Sequence, residues 1–152
     1  MIVIGVGNRD RGDDAVGPLV VDRLRSSLPC FESNGDPATL ISLFGRDSEV
    51  IIVDAMVTGG ATGSISSAGL AGVGEIGIDF SGQSSTHGFG VFEALELARA
   101  LGSLPPRVTL VGVEASSFEP GYGLSPELEP AIERTVDLIL RWAAEPGGSD
   151  DL

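Results

Sequence analysis

The 152-residue chain contains no lysine: its nine basic residues are all arginine, scattered from Arg9 to Arg141. That absence removes both the Schiff-base nucleophile of amine catalysis and the phosphate-gripping lysine of a P-loop. Cysteine occurs once, at Cys30, so neither an internal disulfide nor a thiolate zinc site can be built. A nucleophilic Cys30 would need the single histidine, His87, as its base; a small buried apolar residue is the plainer reading. Aromatic residues make up only 5% of the chain, so the core must be assembled from Val, Ile, Leu and Ala. No apolar stretch approaches the roughly 20 residues that span a bilayer. The chain opens directly on the strand-like run Met1–Val6 with no cationic segment ahead of it. No signal peptide is therefore expected, and the expected location is the cytoplasm, away from membranes.

What is abundant is acid and glycine. A net charge of −13 and a pI near 4.2 exclude nucleic acid as an expected partner, because no basic patch offsets the repulsion of phosphates. The 22 glycines fall largely between apolar runs, as tight strand-to-helix turns require. With 42% hydrophobic residues and this length, residues 1–145 are expected to form one domain and 146–152 a disordered acidic tail.

Met1–Val6 is a short continuous apolar run, the pattern of a strand buried on both faces, and the mostly apolar stretches Glu49–Val53 and Val108–Val113 read as further buried strands. Weaker strands are expected around Phe31 and, at an edge, over Ser64–Ser66. Between them lie helical stripes: Val16, Leu19, Val20, Leu24 and Leu28; Ala38 to Phe44, closed by Gly45; and Phe89, Phe92, Leu95, Leu97, Ala98 and Leu101, closed by Gly102. A last helix is expected behind Ser125 as N-cap and Pro126 at the first helical position, with the stripe Leu128, Ile132, Val136, Ile139, Leu140 and Ala143. This alternation predicts an α/β fold: a single-domain, doubly wound, mostly parallel sheet flanked by helices on both faces.

In such sheets ligands bind at the C-terminal ends of the strands. The polar residues expected there are Asn8, Asp13 and Asp14 after the first strand, Asp54 after the central one, Glu114 after the last long one, and His87 in the loop Ser85–Gly88. Carboxylates and an imidazole can together hold a divalent ion such as nickel or zinc. Each also has a plainer reading. Acids at a helix start complement its dipole, Asp54 can end a strand or cap a helix, a lone histidine can be structural, and Glu114 reads best as a solvated or hydrogen-bonded edge residue. A dinucleotide-binding turn is suggested by Gly5-Val-Gly7, but the third glycine is missing, and Asp13 and Asp14 stand where a pyrophosphate would dock.

Gly5-Val-Gly7-Asn8 followed by Asp13-Asp14-Ala-Val-Gly17 resembles the N-terminal signature of nickel–iron hydrogenase maturation endopeptidases. The likeness continues, in order, through Val50–Ala55, Thr86-His87-Gly88, Val108–Val113, Phe118-Glu119-Pro120 and Gly123-Leu124-Ser125-Pro126. It implies an endopeptidase that removes the C-terminal extension of a hydrogenase large-subunit precursor. Asp14, Asp54 and His87 would be the catalytic and metal-binding residues, acting on nickel carried by the substrate, with no metal or organic cofactor of the enzyme's own. A monomer is expected. Asp14 stands where many members have Glu, and Asn34-Gly35-Asp36-Pro37 replaces a common Gly-Gly-Thr turn thought to read the substrate. The alternatives are a metal-free pair of aspartates sharing a proton, and a nickel-sensing module that binds the precursor without cutting it.

Overall fold

The computed structural model describes residues 1–71, 88–121 and 123–145. Strands β1 (Ile2–Val6), β2 (Cys30–Ser33), β3 (Glu49–Met56), β4 (Ile65–Ala71) and β5 (Arg107–Glu114) form one sheet in the order β2-β1-β3-β5-β4. All neighbours are parallel except β4, which runs antiparallel along β5 at the edge. The expected sheet is present; Ile65 and Ser66 lie in its edge strand, which starts after Ser64 and runs on to Ala71.

Helices α1 (Val16–Leu24) and α4 (Leu128–Ala144) cover one face, and α2 (Pro37–Phe44) and α3 (Gly88–Leu101) the other. The strands divide their side chains by parity. Val3, Ile51, Val53, Val111 and Val113 meet α1 and α4, while Ile2, Ile4, Val50, Ile52 and Val108 meet α2 and α3. Both sets are closed to solvent, which is why these strands read as unbroken apolar runs instead of alternating ones. Asp36 caps α2 by accepting from the Thr39 backbone N–H at 3.0 Å, with Pro37 at the first helical position.

Several expected stripes shift. Helix α1 stops at Leu24, and Leu28 follows in a turn, its N–H donating to the Leu24 carbonyl. On α3, Val91, Ala94, Leu95 and Ala98 are buried, whereas Leu97 and Leu101 face solvent. On α4 the buried face is Leu128, Ala131, Ile132, Thr135, Ile139 and Trp142; Ala143 is exposed and Leu140 borders on it. Helix α4 begins behind Glu127 and not at Ser125-Pro126, because Ser125 is engaged elsewhere.

The winding reverses at β1. The chain leaves it for β2 on one side and later returns to β3 on the other, so a crevice opens at the C-terminal ends of β1 and β3. The β1–β3 pairing ends with Gly5 opposite Val53. Asp54 is the next residue of β3.

Candidate functional site

Three glycines draw the chain tight around this crevice. A Cβ placed on Gly17 would lie 2.3 Å from the Val6 carbonyl oxygen and 2.8 Å from that of Val53. One on Gly5 would lie 2.3 Å from the Gly17 oxygen. Gly7 adopts φ +152 and faces the Asp14 carbonyl. The glycines thus let the start of α1 and the 3-10 turn before it (Gly12–Ala15) rest directly on β1 and β3.

Asp13 and Asp14 lie inside that 3-10 turn, not in the first turn of α1, and both are buried. They serve different partners. Asp14 stays beside β1, where its Oδ2 accepts from the Asn8 backbone N–H at 3.1 Å. Asp13 binds residues more than a hundred positions away. Its Oδ2 accepts from the backbone N–H groups of Ser116 at 2.8 Å and Ser117 at 3.1 Å, and from the Ser125 hydroxyl at 2.8 Å. Its Oδ1 accepts from the Ser125 N–H at 2.7 Å. Burial is the largest single influence and pushes this carboxyl up, but the bonds from Ser125, Ser116 and Ser117 together outweigh it and hold it below the ordinary carboxylate range. Sequence reasoning missed this role: no local pattern reveals a partner so far along the chain.

Asp54 does not follow β3, as expected, but lies within it, two residues before the end at Met56. It is half-buried, pairs with Gly112 of β5, and by strand parity belongs to the face of Ile52. Glu114, the last residue of β5, is buried. Its carboxylate accepts from the Thr58 backbone N–H at 2.8 Å and from the Thr58 hydroxyl, a hydrogen-bonded edge residue as expected. Cys30 opens β2 at the opposite rim of the sheet, where burial pushes its thiol up.

His87, which directly precedes α3 in the chain, lies outside the described residues. Among the described residues no three His, Cys, Asp or Glu side chains are grouped to hold an ion. The structure thus places Asp14 in the turn beside the end of β1 and Asp54 on the neighbouring strand β3. A cleft of about 320 Å³ opens over Met56, Ala68, Leu110 and Gly112, the last being the β5 partner of Asp54, with Thr58 and Glu114 among its walls.

Comparison with known proteins identifies the family and the fold together. The sequence profile of the hydrogenase maturation proteases matches residues 34–142. This chain belongs to that family. The hydrogenase 2 maturation protease of Escherichia coli K12 is 32% identical over 154 aligned positions, covering 97% of this chain and 92% of the relative. Among solved structures, the hydrogenase maturating endopeptidase HybD from E. coli superposes with a TM-score of 0.78 at 28% identity, covering 94% of this chain and 93% of that one. A hydrogenase 2 maturation peptidase from a Thaumarchaeota archaeon gives 0.68 at 31% identity, covering 94% and 97%. The maturation proteases are peptidases, and this protein is an enzyme of that class. No helix among its described residues is long and apolar enough to cross a membrane.

Proposed function

We propose that this maturation protease hydrolyses the peptide bond joining the C-terminal extension to a nickel-loaded hydrogenase large-subunit precursor, and that Asp14, Asp54 and His87 grip the nickel the substrate brings. The observation that carries this reading is the position of Asp14 and Asp54 beside the C-terminal ends of two neighbouring parallel strands, β1 and β3, at the point where the winding reverses. The kinship with proteins named as hydrogenase maturation proteases supports the class of substrate.

Peptide hydrolysis needs an activated water and stabilisation of the oxyanion that develops on the scissile carbonyl. A divalent ion supplies both, by lowering the pKa of water and by acting as a Lewis acid. Two carboxylates and one imidazole leave coordination positions open for substrate groups and water. The Asn8 N–H donates to one oxygen of Asp14 and so helps to orient its carboxylate. The cleft over Met56, Leu110 and Gly112 offers a largely apolar bed in which an extended peptide can lie. An enzyme built this way cuts only when metal has arrived, because the metal is part of the substrate.

The test is incubation of the purified protein with precursor, with and without nickel, read by mass spectrometry. Loss of the C-terminal peptide from the nickel-loaded precursor alone is the expected result. An unchanged mass in both would contradict the proposal, and equal cleavage in both would favour the metal-free aspartate pair.

A further inference from the structure

We infer that Asp13 is a positioning residue for the candidate site: through residues 115–117 it fixes the 3-10 turn carrying Asp14 relative to the strand carrying Asp54. The inference rests on the peptidase reading above and adds to it a residue that touches neither substrate nor metal.

The chain leaves β5 at Glu114, and the next three residues form a strap. At one end the Ala115 N–H donates to the carbonyl of Met56 at 2.8 Å, two residues beyond Asp54 on β3. At the other, the Ser116 and Ser117 N–H groups donate to the Asp13 carboxylate, while the Ser117 carbonyl accepts from the Asp13 N–H at 3.0 Å. The same Ser117 carbonyl lies where a Cβ on Gly12 would come within 2.9 Å, so the strap also packs against the turn. Ser125 completes the attachment with both its N–H and its hydroxyl on Asp13.

The turn is four residues long, and Arg11 before it provides no side-chain cap. A carboxylate suits this clamp because its two oxygens accept several bonds and carry no hydrogen, whereas an amide turns an NH2 group toward some of the donors. Asp14 is joined to Asp13 by one planar peptide, so slack at the clamp passes to the Asp14 carboxylate. A displacement of about 1 Å in a reacting group can cost roughly a hundredfold in rate.

The experiment compares the full-length protein with Ser125→Ala, Ser125→Thr and Asp13→Asn. The probe is the nickel-loaded large-subunit precursor of the same organism's hydrogenase, at a temperature well below each variant's melting point. Ser125→Ala is expected to lower kcat about tenfold with little change in KM, and Asp13→Asn to lower it further. Ser125→Thr, which restores the hydroxyl, is expected to recover most of the loss. Wild-type kcat in folded Ser125→Ala and Asp13→Asn, with only the melting point reduced, would make the clamp purely structural and overturn the inference. Should Asp13→Asn not fold, the alanine–threonine pair at position 125 decides alone. A wild-type protein that leaves the precursor whole removes the peptidase reading and this inference together; a cutting wild type beside unimpaired variants removes only the inference.

Discussion

Gly7 and Asp14 meet backbone to backbone: a Cβ on the glycine would come within 2.0 Å of the aspartate's carbonyl oxygen. Neither can yield, since one ends near a central strand and the other is locked in the 3-10 turn. Gly7→Ala is therefore expected to destabilise the protein by about 3 kcal/mol or more, combining an unfavourable φ with a clash against main chain. Urea unfolding followed by circular dichroism measures it, and a variant within about 0.5 kcal/mol of wild type would show that the turn adapts.

The proposed ligand set makes a sharper demand. Asp14→Asn, Asp54→Asn and His87→Gln should each reduce precursor processing by roughly a hundredfold or more while leaving a cooperative thermal transition. Processing by any one of them at the wild-type rate would remove that residue from the set.

Acid should weaken the Asp13 clamp in a defined direction. Its carboxyl is held below its ordinary value in the folded protein, so its contribution is complete above the unfolded pKa of about 3.9 and is lost as pH falls through the lower folded pKa. Wild type should therefore lose stability between neutral pH and about pH 3 more steeply than Asp13→Asn, which has no proton to take up. Asp22 and Asp47 are also depressed, by the Arg9 hydrogen bonds and the N-terminal ammonium respectively, but they act equally in both proteins and cancel in the comparison. Parallel slopes in denaturant titrations across that range would refute the assignment.

Glu114 provides the contrast, a buried carboxylate in the candidate region with a structural duty. Glu114→Ala leaves the Thr58 N–H without its acceptor and should cost about 1–3 kcal/mol. Its kcat on the nickel-loaded precursor, measured below the melting transition, should stay within about threefold of wild type, any effect of its place in the cleft wall falling on KM.

The two ends of α4 show where sequence reading succeeds and fails. Leu128, Ile132 and Ile139 follow from helical spacing, but the same spacing points to Leu140 and Ala143, whereas the buried residue is Trp142. The rotation of a helix is set by its neighbours, here α1 and the sheet, and the larger indole takes the interior position. Trp142→Ala should accordingly cost about 3–5 kcal/mol and Leu140→Ala under about 1 kcal/mol, by the same urea titration. The reverse order would return the buried face to the one that spacing suggests.

The same distinction holds at the site. β1, β3 and β5 were legible because burial on both faces leaves an unbroken apolar run, and Asp54 stood out as the first charge after one. That β3 continues past Asp54 to Met56 was not legible: strand length depends on pairing with β5, which accompanies it to Glu114. Ser125-Pro126 matched the local pattern of a helix start, yet the serine bonds to Asp13, 112 residues away. Local chemistry shows what a side chain can do, and the fold selects which partner it meets.

All four parallel strands point the same way, so the rim where they begin is remote from Asp14 and Asp54. Cys30, the only thiol in the chain, stands on that rim at the start of β2. A fluorophore or surface tether attached through this sulfur would hold the molecule by its back. Half-buried and slow to ionise, the thiol needs mildly alkaline labelling, but the coupling is single-sited by composition and leaves the opposite crevice open to a large protein substrate.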